Sequence, residues 1–334
     1  MSVYDEIGDL SMGRPHIVIL GAGASRATCP DGDKNGSIVP LMKDIISTVE
    51  LGPLFNHHGI RADDASFEST YSRLHGSGDV HILAEIEAAI STYFQSIELP
   101  EYPTIYDLLV VSLRSKDLIA TFNWDPLLFQ ALKRNSKWID LPNVAFLHGN
   151  VAIGFCTADR KCGRAGTLCP KCLSRFENVP LLYPIGQKNY QQNHFIDSEW
   201  QKLVSYLKEA YIVTIFGYSA PVSDVEAMQL MTKALAESRV RDLNQIEIID
   251  IQPEDRLRQS WEPFIVGDHY QIFNDFYESF IANHPRRTCE AMWQQLEEIQ
   301  YLDSRPIPQE SGWQALRDWF APLVEIERAR SHRV

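Results

Sequence analysis

Cysteine, positive charge and long apolar runs are all scarce in this sequence of 334 residues. Six cysteines, four of them within seventeen residues, do not suit the dispersed disulfide framework of a small secreted domain. No apolar run reaches the ~20 residues that a membrane span requires. Acidic residues precede any apolar stretch at the start of the chain, which is unlike a secretory signal. We therefore expect a cytoplasmic protein with no membrane association.

The shortage of positive charge bears on possible partners. The chain has 31 lysines and arginines against 44 aspartates and glutamates, which gives a net charge of −13. Because binding to a phosphate backbone requires clustered cations, we expect no direct contact with nucleic acid. A hydrophobic fraction of 45% and a charged fraction of 22% exclude wholesale disorder. The length suits one large domain with an appendage, or two domains.

What the sequence does contain is an alternation of short apolar runs and amphipathic stretches. Five runs are predicted to be buried strands, at 16–20, 117–121, 144–147, 211–216 and 246–251. Strands separated by helical stretches predict an α/β fold with a doubly wound, Rossmann-like parallel sheet. After about Pro285 the strand pattern stops, and two predicted helices, near 289–301 and 311–330, form a helical C-terminal tail.

Small or polar residues follow the carboxyl ends of the predicted strands. Ligands of open α/β sheets bind at this edge, so these residues are candidates for one common crevice: Gly21, Ala22, Gly23, Ala24, Ser25, Asn123, Asp125, His148, Ser219 and Asp250. The glycine segment 21–25 suggests contact between backbone N–H groups and a phosphate or a ribose. It departs from G-x-G-x-x-G, since Arg26 stands where the third glycine would be. A tight turn after the strand explains the segment equally well.

Asn123, Asp125 and His148 each admit a structural explanation beside a functional one. Asp125 precedes Pro126 and suits the cap of the helix that follows. Asn123 suits the orientation of a water molecule or a sugar hydroxyl. His148 precedes Gly149 and suits proton transfer near neutral pH, although a histidine at a strand end is often structural.

The four clustered cysteines, Cys156, Cys162, Cys169 and Cys172, suit a closed tetrahedral zinc site. A redox pair at Cys169 and Cys172 is the alternative. That motif opens a helix after a strand, whereas this one lies in a polar, turn-rich loop. We therefore favour structural zinc, held in an insert of about residues 154–176. The other two cysteines, Cys29 and Cys289, have no assigned role.

Taken in order, these motifs resemble those of the sirtuin family and its wider superfamily. Segment 21–25 is similar to the family's first nucleotide loop, and Thr121-Phe122-Asn123-Trp124-Asp125 to its Thr-x-Asn-x-Asp motif. Leu147-His148-Gly149 resembles the catalytic histidine segment, and the cysteine cluster follows it as in sirtuins. Segment 216–219 looks like a later nucleotide-contacting loop. The resemblance covers about residues 15–280 as scattered motifs.

Departures from the protein-deacylating sirtuins indicate a different branch. Segment 26–31 replaces their Gly-Ile-Pro-Asp-Phe-Arg, and their acyl-peptide-binding motif is not visible near 181–189. Segment 217–224, GYSAPVSD, is instead similar to the Gly-Tyr-Ser-x-Pro-x-x-Asp of a divergent branch. Its members are implied to cleave NAD, often as effectors of bacterial anti-phage defence. The retained zinc insert departs from many members of that branch.

The resemblance implies roles for these residues with NAD as the substrate. Asn123 would orient the attacking water or the ribose, and His148 would accept a proton at the ribose hydroxyls. Further contacts to NAD would come from Gly21, Ala22, Gly23, Ala24, Ser25, Thr121, Asp125, Gly217, Ser219 and Asp250. The leading expectation is an NAD+ hydrolase that releases nicotinamide and ADP-ribose. An NAD-dependent protein deacylase and a non-catalytic NAD or ADP-ribose sensor in a larger assembly are the alternatives.

The expected division of the chain is a catalytic domain at 1–284 and a helical extension at 285–334. An NAD hydrolase has to be held inactive until it is triggered. We expect a homo-oligomer or a partner protein bound through apolar faces of the C-terminal helices. Packing of these helices against their own domain is the alternative.

Overall fold

The structure, a computed structural model, describes residues 3–61, 66–185, 190, 193–220, 224–239, 241–265, 267, 269–300, 303–309 and 311–331. Within these ranges it forms a mixed α/β fold around one large sheet and one small sheet. No helix in the described ranges is both long and apolar enough to span a lipid bilayer.

The large sheet has six parallel strands. In chain order the strands are β1 (His16–Leu20), β2 (Leu118–Thr121), β3 (Asn143–Phe146), β4 (Ile153–Cys156), β5 (Lys161–Arg164), β6 (Glu177–Asn178), β7 (Ile212–Phe216), β8 (Gln245–Ile249) and β9 (Tyr270–Phe273). The large sheet has the order β3-β2-β1-β7-β8-β9, and every pairing in it is parallel. Counted within the sheet this is 3-2-1-4-5-6, the order of doubly wound nucleotide-binding folds. The predicted fold class is confirmed.

The carboxyl ends of the central strands lie in register. Leu20 of β1 pairs with Thr121 of β2 on one side and with Phe216 of β7 on the other. Thr121 in turn pairs with Phe146 of β3. The residues that follow these four strands therefore meet at one edge, around the point between β1 and β7 where the strand order reverses.

Helices connect the strands and cover the sheet. They are α1 (Val3–Gly8), α2 (Ala22–Thr28), α3 (Ile45–Thr48), α4 (Gly52–His57), α5 (Phe67–Ser77), α6 (Val80–Ser96), α7 (Ile105–Ser112), α8 (Leu127–Asn135), α9 (His194–Leu207), α10 (Val225–Ala236), α11 (Glu254–Trp261), α12 (Phe280–Asn283), α13 (Thr288–Leu296) and α14 (Trp313–Ser331). Side-chain caps fix several starts: Asp79 accepts from Ile82 N at α6, and Asn193 accepts from Phe195 N at α9.

Strand β9 is the element of the large sheet that the sequence did not predict. It lies at the sheet edge and its four residues are all partly or fully exposed. An edge strand needs no continuous apolar run, so the signal that identified the buried strands is missing.

The small sheet, β5-β4-β6, is antiparallel; it spans the predicted zinc insert at about 154–176 and extends just beyond it, to Asn178 of β6. Phe176 packs against Gly154 and Gly163 so closely that a Cβ added to Gly163 would lie 2.3 Å from the Phe176 ring. With so small an apolar core, this insert is too small to be held by burial alone and suits a metal cross-link.

The C-terminal helices pack largely into the main body. Leu316, Phe320 and Leu323 of α14 are buried in the same apolar cluster as the large sheet. Two buried arginines, Arg286 and Arg287, form ion pairs with the carboxylate of Glu327 on α14. The two arginines also donate to backbone carbonyls of the body. The apolar faces expected to bind a partner are thus mostly covered within the chain.

Replacement of Glu327 by glutamine should destabilise the fold, because it leaves two buried guanidinium groups without their counter-charge. We expect a loss of about 3 kcal/mol in the free energy of unfolding, measured by urea denaturation. Glu325→Gln, an exposed position on the same helix, is the matched control and should change stability by less than about 0.5 kcal/mol. Equal losses in the two variants would contradict the assigned role of the Glu327 carboxylate.

Candidate functional site

The loops after β1 and β7 are in direct backbone contact at their glycine residues. Gly21 N donates to Phe216 O at 3.0 Å and Gly23 N donates to Gly217 O at 2.9 Å. A Cβ added to Gly21 would lie 2.5 Å from Gly217 O, and one added to Gly217 would lie 2.3 Å from Ala24 N. Glycine is therefore required here by the approach of two backbones.

This contact alters the interpretation of the glycine segment. The N–H groups of Gly21, Gly23 and Ala24 already donate to backbone carbonyls. The tight-turn explanation accounts for them, and any phosphate contact is left to the other N–H groups at the start of α2, beginning with Ala22.

Asn123 lies just after β2 with its side-chain amide held by three acceptors. Its Nδ2 donates to Gly21 O at 2.8 Å, to Ser25 Oγ at 2.9 Å and to Tyr106 Oη at 3.1 Å. A carbonyl oxygen such as Gly21 O can only accept, so the atom that faces it must be the nitrogen. The orientation of the amide is thereby fixed, and Oδ1 points away from these partners. Within the described part of the chain, no hydrogen bond reaches Asn123 Oδ1.

Asp125 serves both as a helix cap and as part of this site. Its Oδ1 accepts from Leu127 N at the start of α8 at 3.1 Å, as the capping explanation predicts. Its Oδ2 accepts from Ser25 Oγ at 2.7 Å. Burial raises the pKa of Asp125, and the hydrogen bonds from Ser25 and from Leu127 N oppose that rise.

Two residues of this network carried no signal in the sequence. Tyr106 lies on α7, and the sequence pattern does not distinguish it from the apolar residues of that amphipathic helix. Asn150 donates from Nδ2 to Asp125 O at 2.5 Å and so supports the turn after β2. Thr121, a predicted contact residue, supports the same turn by accepting from Asn123 N at 3.0 Å.

His148 lies at the end of β3, next to an aromatic cluster. Its ring contacts the edge of Phe122 at 4.8 Å between centroids, and Phe122 stacks on Tyr218 at 4.1 Å. Tyr218 donates its hydroxyl to Asp224 Oδ2 at 2.8 Å, and Asp224 Oδ1 lies 3.9 Å from His148 Nε2. The glycine, tyrosine and aspartate of the 217–224 motif thus each have a structural part. Pro221, Val222 and Ser223 of that motif lie outside the described residues.

Gly149 lets the chain turn sharply after His148. It has a φ of +77°, and a Cβ added there would lie 2.0 Å from Pro180 O. Leu182 N donates to His148 O at 3.0 Å, so the segment after the zinc insert packs directly against the histidine.

Ser219 and Asp250 reach the same edge but not the buried network. Ser219 is exposed beyond Gly217, whose N–H donates to Ile249 O. Asp250 is half-buried, and its Oδ1 accepts from Gln252 N at 2.9 Å. Both stay predictions as NAD contacts.

The strand-end residues are enclosed in this structure. Ser25 is fully buried, and only 7% of Asn123 and 5% of His148 are exposed. Two cavities, of about 230 and 340 Å³, lie along α9. Tyr190 lines the larger cavity, and its ring stacks near His148 at 6.1 Å between centroids.

A separate cluster in the insert has the composition of a metal site. Cys156, Asp159, Cys169 and Cys172 each offer one ligand atom, and these atoms lie within 4.8 Å of one another. Backbone N–H groups of Cys172 and Lys171 lower the pKa of the Cys169 thiol, which favours the thiolate that binds metal. Three sulfurs and one carboxylate oxygen suit a tetrahedral zinc ion. Zinc would supply a structural cross-link between the β4 strand and the turn at 169–172.

Cys162 is a correction to the predicted ligand set. It pairs with Phe155 across the hairpin, whereas Cys156 pairs with Lys161. Successive strand residues face opposite sides, so Cys162 lies on the face away from Cys156, and Asp159 takes the fourth place in the cluster.

The two cysteines without an assigned role are inert. Cys29 and Cys289 are fully buried, and burial raises the pKa of each thiol to about 12.

Comparisons with known proteins return sirtuin structures at low similarity. No family model matches the chain, and no curated protein matches it significantly. A structure of Sir2 with an inhibitor, 2′-O-acetyl-ADP-ribose and a deacetylated peptide matches at 15% identity and a TM-score of 0.40, over 85% of this chain and 94% of that one. A Sir2 homolog–NAD complex matches at 12% identity and a TM-score of 0.35, over 88% and 91%. A structure concerned with the mechanism and regulation of Sir2 enzymes matches at 13% and 0.39, over 88% and 98%.

The zinc cluster predicts a sharp contrast between two cysteines of the insert. Purified wild-type protein should carry about one zinc per chain, measured by plasma mass spectrometry. Cys172→Ser should lose most of this zinc, because it removes a ligand. Cys162→Ser is the matched control and should retain it. An equal loss of zinc in the Cys162→Ser protein would restore Cys162 as a ligand and contradict the cluster.

Proposed function

We propose that this protein is an NAD+ hydrolase with a sirtuin-like core, which cleaves the nicotinamide–ribose bond to give nicotinamide and ADP-ribose. The observation that carries the proposal is the fixed amide of Asn123. Its nitrogen is tied to Gly21 O, Ser25 and Tyr106. The side of the group that faces away from these three partners is therefore a carbonyl oxygen, which can accept a hydrogen bond from a water molecule or a ribose hydroxyl.

The surroundings of His148 suit the proton transfer that this reaction needs. Cleavage of the bond passes through an oxocarbenium-like state, as in glycoside hydrolysis, and a base must take a proton from the attacking water or a ribose hydroxyl. Asp224 Oδ1, 3.9 Å from His148 Nε2, stabilises the positive charge that the ring acquires. Phe122 packs against the histidine and is itself stacked on Tyr218, and with His148 only 5% exposed this packing keeps bulk water from the ring.

The other contacts to NAD follow from position at the same edge. The start of α2 and Gly217 would face the pyrophosphate, while Ser219 and Asp250 would bind the adenosine side. Thr121 and Asp125 act through the turn that carries Asn123.

The enclosed site supports a regulated enzyme, whose setting we propose to be bacterial anti-phage defence on the strength of the 217–224 motif. Most apolar residues of the C-terminal helices are covered, but Leu296 is 44% exposed and Ile299 is 82% exposed. These two, flanked by Glu297 and Glu298, are the surface we propose for a second copy or a partner protein. A cytoplasmic location agrees with thiols gathered for a metal.

The division into a catalytic domain at 1–284 and an extension at 285–334 is also part of the proposal. The shared apolar cluster and the Glu327 ion pairs support an extension that folds together with the catalytic domain.

NAD-dependent protein deacylation is the second candidate, which the thiol cluster favours. Zinc inserts accompany the deacylating sirtuins that the sequence resembles. The acyl-peptide-binding motif of those enzymes would lie near 181–189, and residues 186–189 of that stretch lie outside the described residues.

The decisive measurement is the release of nicotinamide and ADP-ribose from NAD by the purified protein. Asn123→Ala should lower turnover about a hundredfold or more, since it removes the oriented acceptor. His148→Ala should lower it similarly while NAD binding is largely kept. Asn143→Ala, a matched change at the exposed start of β3, should leave turnover unchanged.

Two other outcomes would replace the proposal. Nicotinamide release only in the presence of an acetyl-lysine peptide would favour the deacylase. NAD binding without turnover in every oligomeric or partner-bound state, together with unchanged cellular activity of His148→Ala, would favour the sensor.

A further inference from the structure

We infer that Tyr106 is the positioning residue that holds the Asn123 amide in its working orientation, through a directed hydrogen-bond chain that ends on Asp125. The geometry of this chain is independent of the proposed function. Its kinetic consequence rests on the proposed NAD hydrolysis.

Counting protons gives the chain one direction. Ser25 has a single hydroxyl proton, and it goes to Asp125 Oδ2 at 2.7 Å. Ser25 Oγ therefore accepts from the Tyr106 hydroxyl, also at 2.7 Å. The Tyr106 oxygen is then left to accept from Asn123 Nδ2 at 3.1 Å. Because the amide has two protons for three acceptors, one of these protons is shared between two of them. The chain runs from the Asn123 amide to Tyr106, to Ser25 and to the Asp125 carboxylate, and its charged end polarises every link.

Burial keeps water away from this chain of hydrogen bonds. Tyr106 and Ser25 are fully buried, and Asp125 is 3% exposed, so water does not compete for these bonds. Burial raises the pKa of Tyr106 well above its usual value, and the nearby Asp125 charge adds to the rise. The hydroxyl is therefore a neutral donor near neutral pH.

Tyr106 is itself held by the helix that follows Asp125. Asp107, the next residue on α7, closes a capping box with Thr104 and also accepts from Asn135 Nδ2 of α8 at 2.8 Å. Arg134 of α8 pairs with the same Asp107 carboxylate. The path from Asn123 through α8 and α7 back to Tyr106 thus forms a closed ring, which fixes the distance between the tyrosine and the asparagine.

Without the Tyr106 hydroxyl, the amide loses one acceptor and Ser25 Oγ loses one of its two donors, the other being Asn123 Nδ2. The remaining bonds to Gly21 O and to Ser25 Oγ still favour the working orientation, so the expected effect is partial. In Tyr106→Phe we expect kcat for NAD cleavage to fall roughly tenfold, with KM within about twofold of wild type, because substrate contacts are unchanged.

Tyr71→Phe is the matched control. Tyr71 is also buried, and its hydroxyl donates to Glu87 outside the network. It should lower thermal stability to a similar degree while kcat stays unchanged. If kcat falls in both variants in proportion to their loss of thermal stability, Tyr106 has only a structural role and the inference is overturned.

A second readout does not depend on turnover. In the wild type, exchange of the Asn123 side-chain amide protons with solvent should be slow, as followed by NMR with assignment from an Asn123→Asp difference spectrum. In Tyr106→Phe, and likewise in Ser25→Ala, exchange should be at least about tenfold faster. Unchanged exchange in folded Tyr106→Phe or, where that variant does not fold, in Ser25→Ala overturns the inference. A wild type that does not cleave NAD while exchange responds to Tyr106→Phe contradicts the proposed function alone.

Discussion

The approach of Gly21 and Gly23 to Gly217 is the constraint on which the candidate site depends. The two loops meet backbone to backbone at the reversal point of the sheet, with Gly23 N bound to Gly217 O at 2.9 Å. Any side chain at these positions would overlap the opposite loop. Because the loops are this close, Ser25 at the start of α2 and Tyr218 after β7 are drawn to the same edge, and Asn123 and His148 at the ends of β2 and β3 complete it.

Two carboxylates organise the polar groups that result. Asp125 ends the chain of hydrogen bonds that begins at the Asn123 amide, and Asp224 lies beside His148. Each is buried, with 3% and 4% exposed, so each acts at short range in a medium of low polarity. In the proposed reaction, Asp125 sets the direction of an acceptor and Asp224 supports a positive charge on a base. The proposed cleavage of NAD requires this division of roles.

The insert and the C-terminal helices show how local pattern and long-range packing differ. The four cysteines of the insert were identified from spacing alone, yet strand alternation places Cys162 on the face away from Cys156, and Asp159, from the turn between β4 and β5, lies in the cluster with the other three cysteines. The C-terminal helices were predicted at nearly their observed positions, and their apolar faces were correctly recognised. Spacing along a helix shows that a face is apolar but does not show what covers it. Here most of that face packs into the chain's own core.

The sequence by itself determined the parallel α/β sheet, five of its six strands and the strand ends that carry Gly21, Asn123, Asp125 and His148. Runs of buried β-branched residues and the turns after them are local signals, and local signals survive in a sequence. Only the tertiary structure decided which groups pair. Tyr106 joins the site from α7, and nothing in its neighbours along the chain distinguishes it from other helix-face residues. Asp224 was noted only as the last residue of the 217–224 motif, and its position beside His148 comes from the tertiary structure. The orientation of the Asn123 amide was likewise decided by a carbonyl 102 positions away in the chain, because a hydrogen bond depends on distance in space.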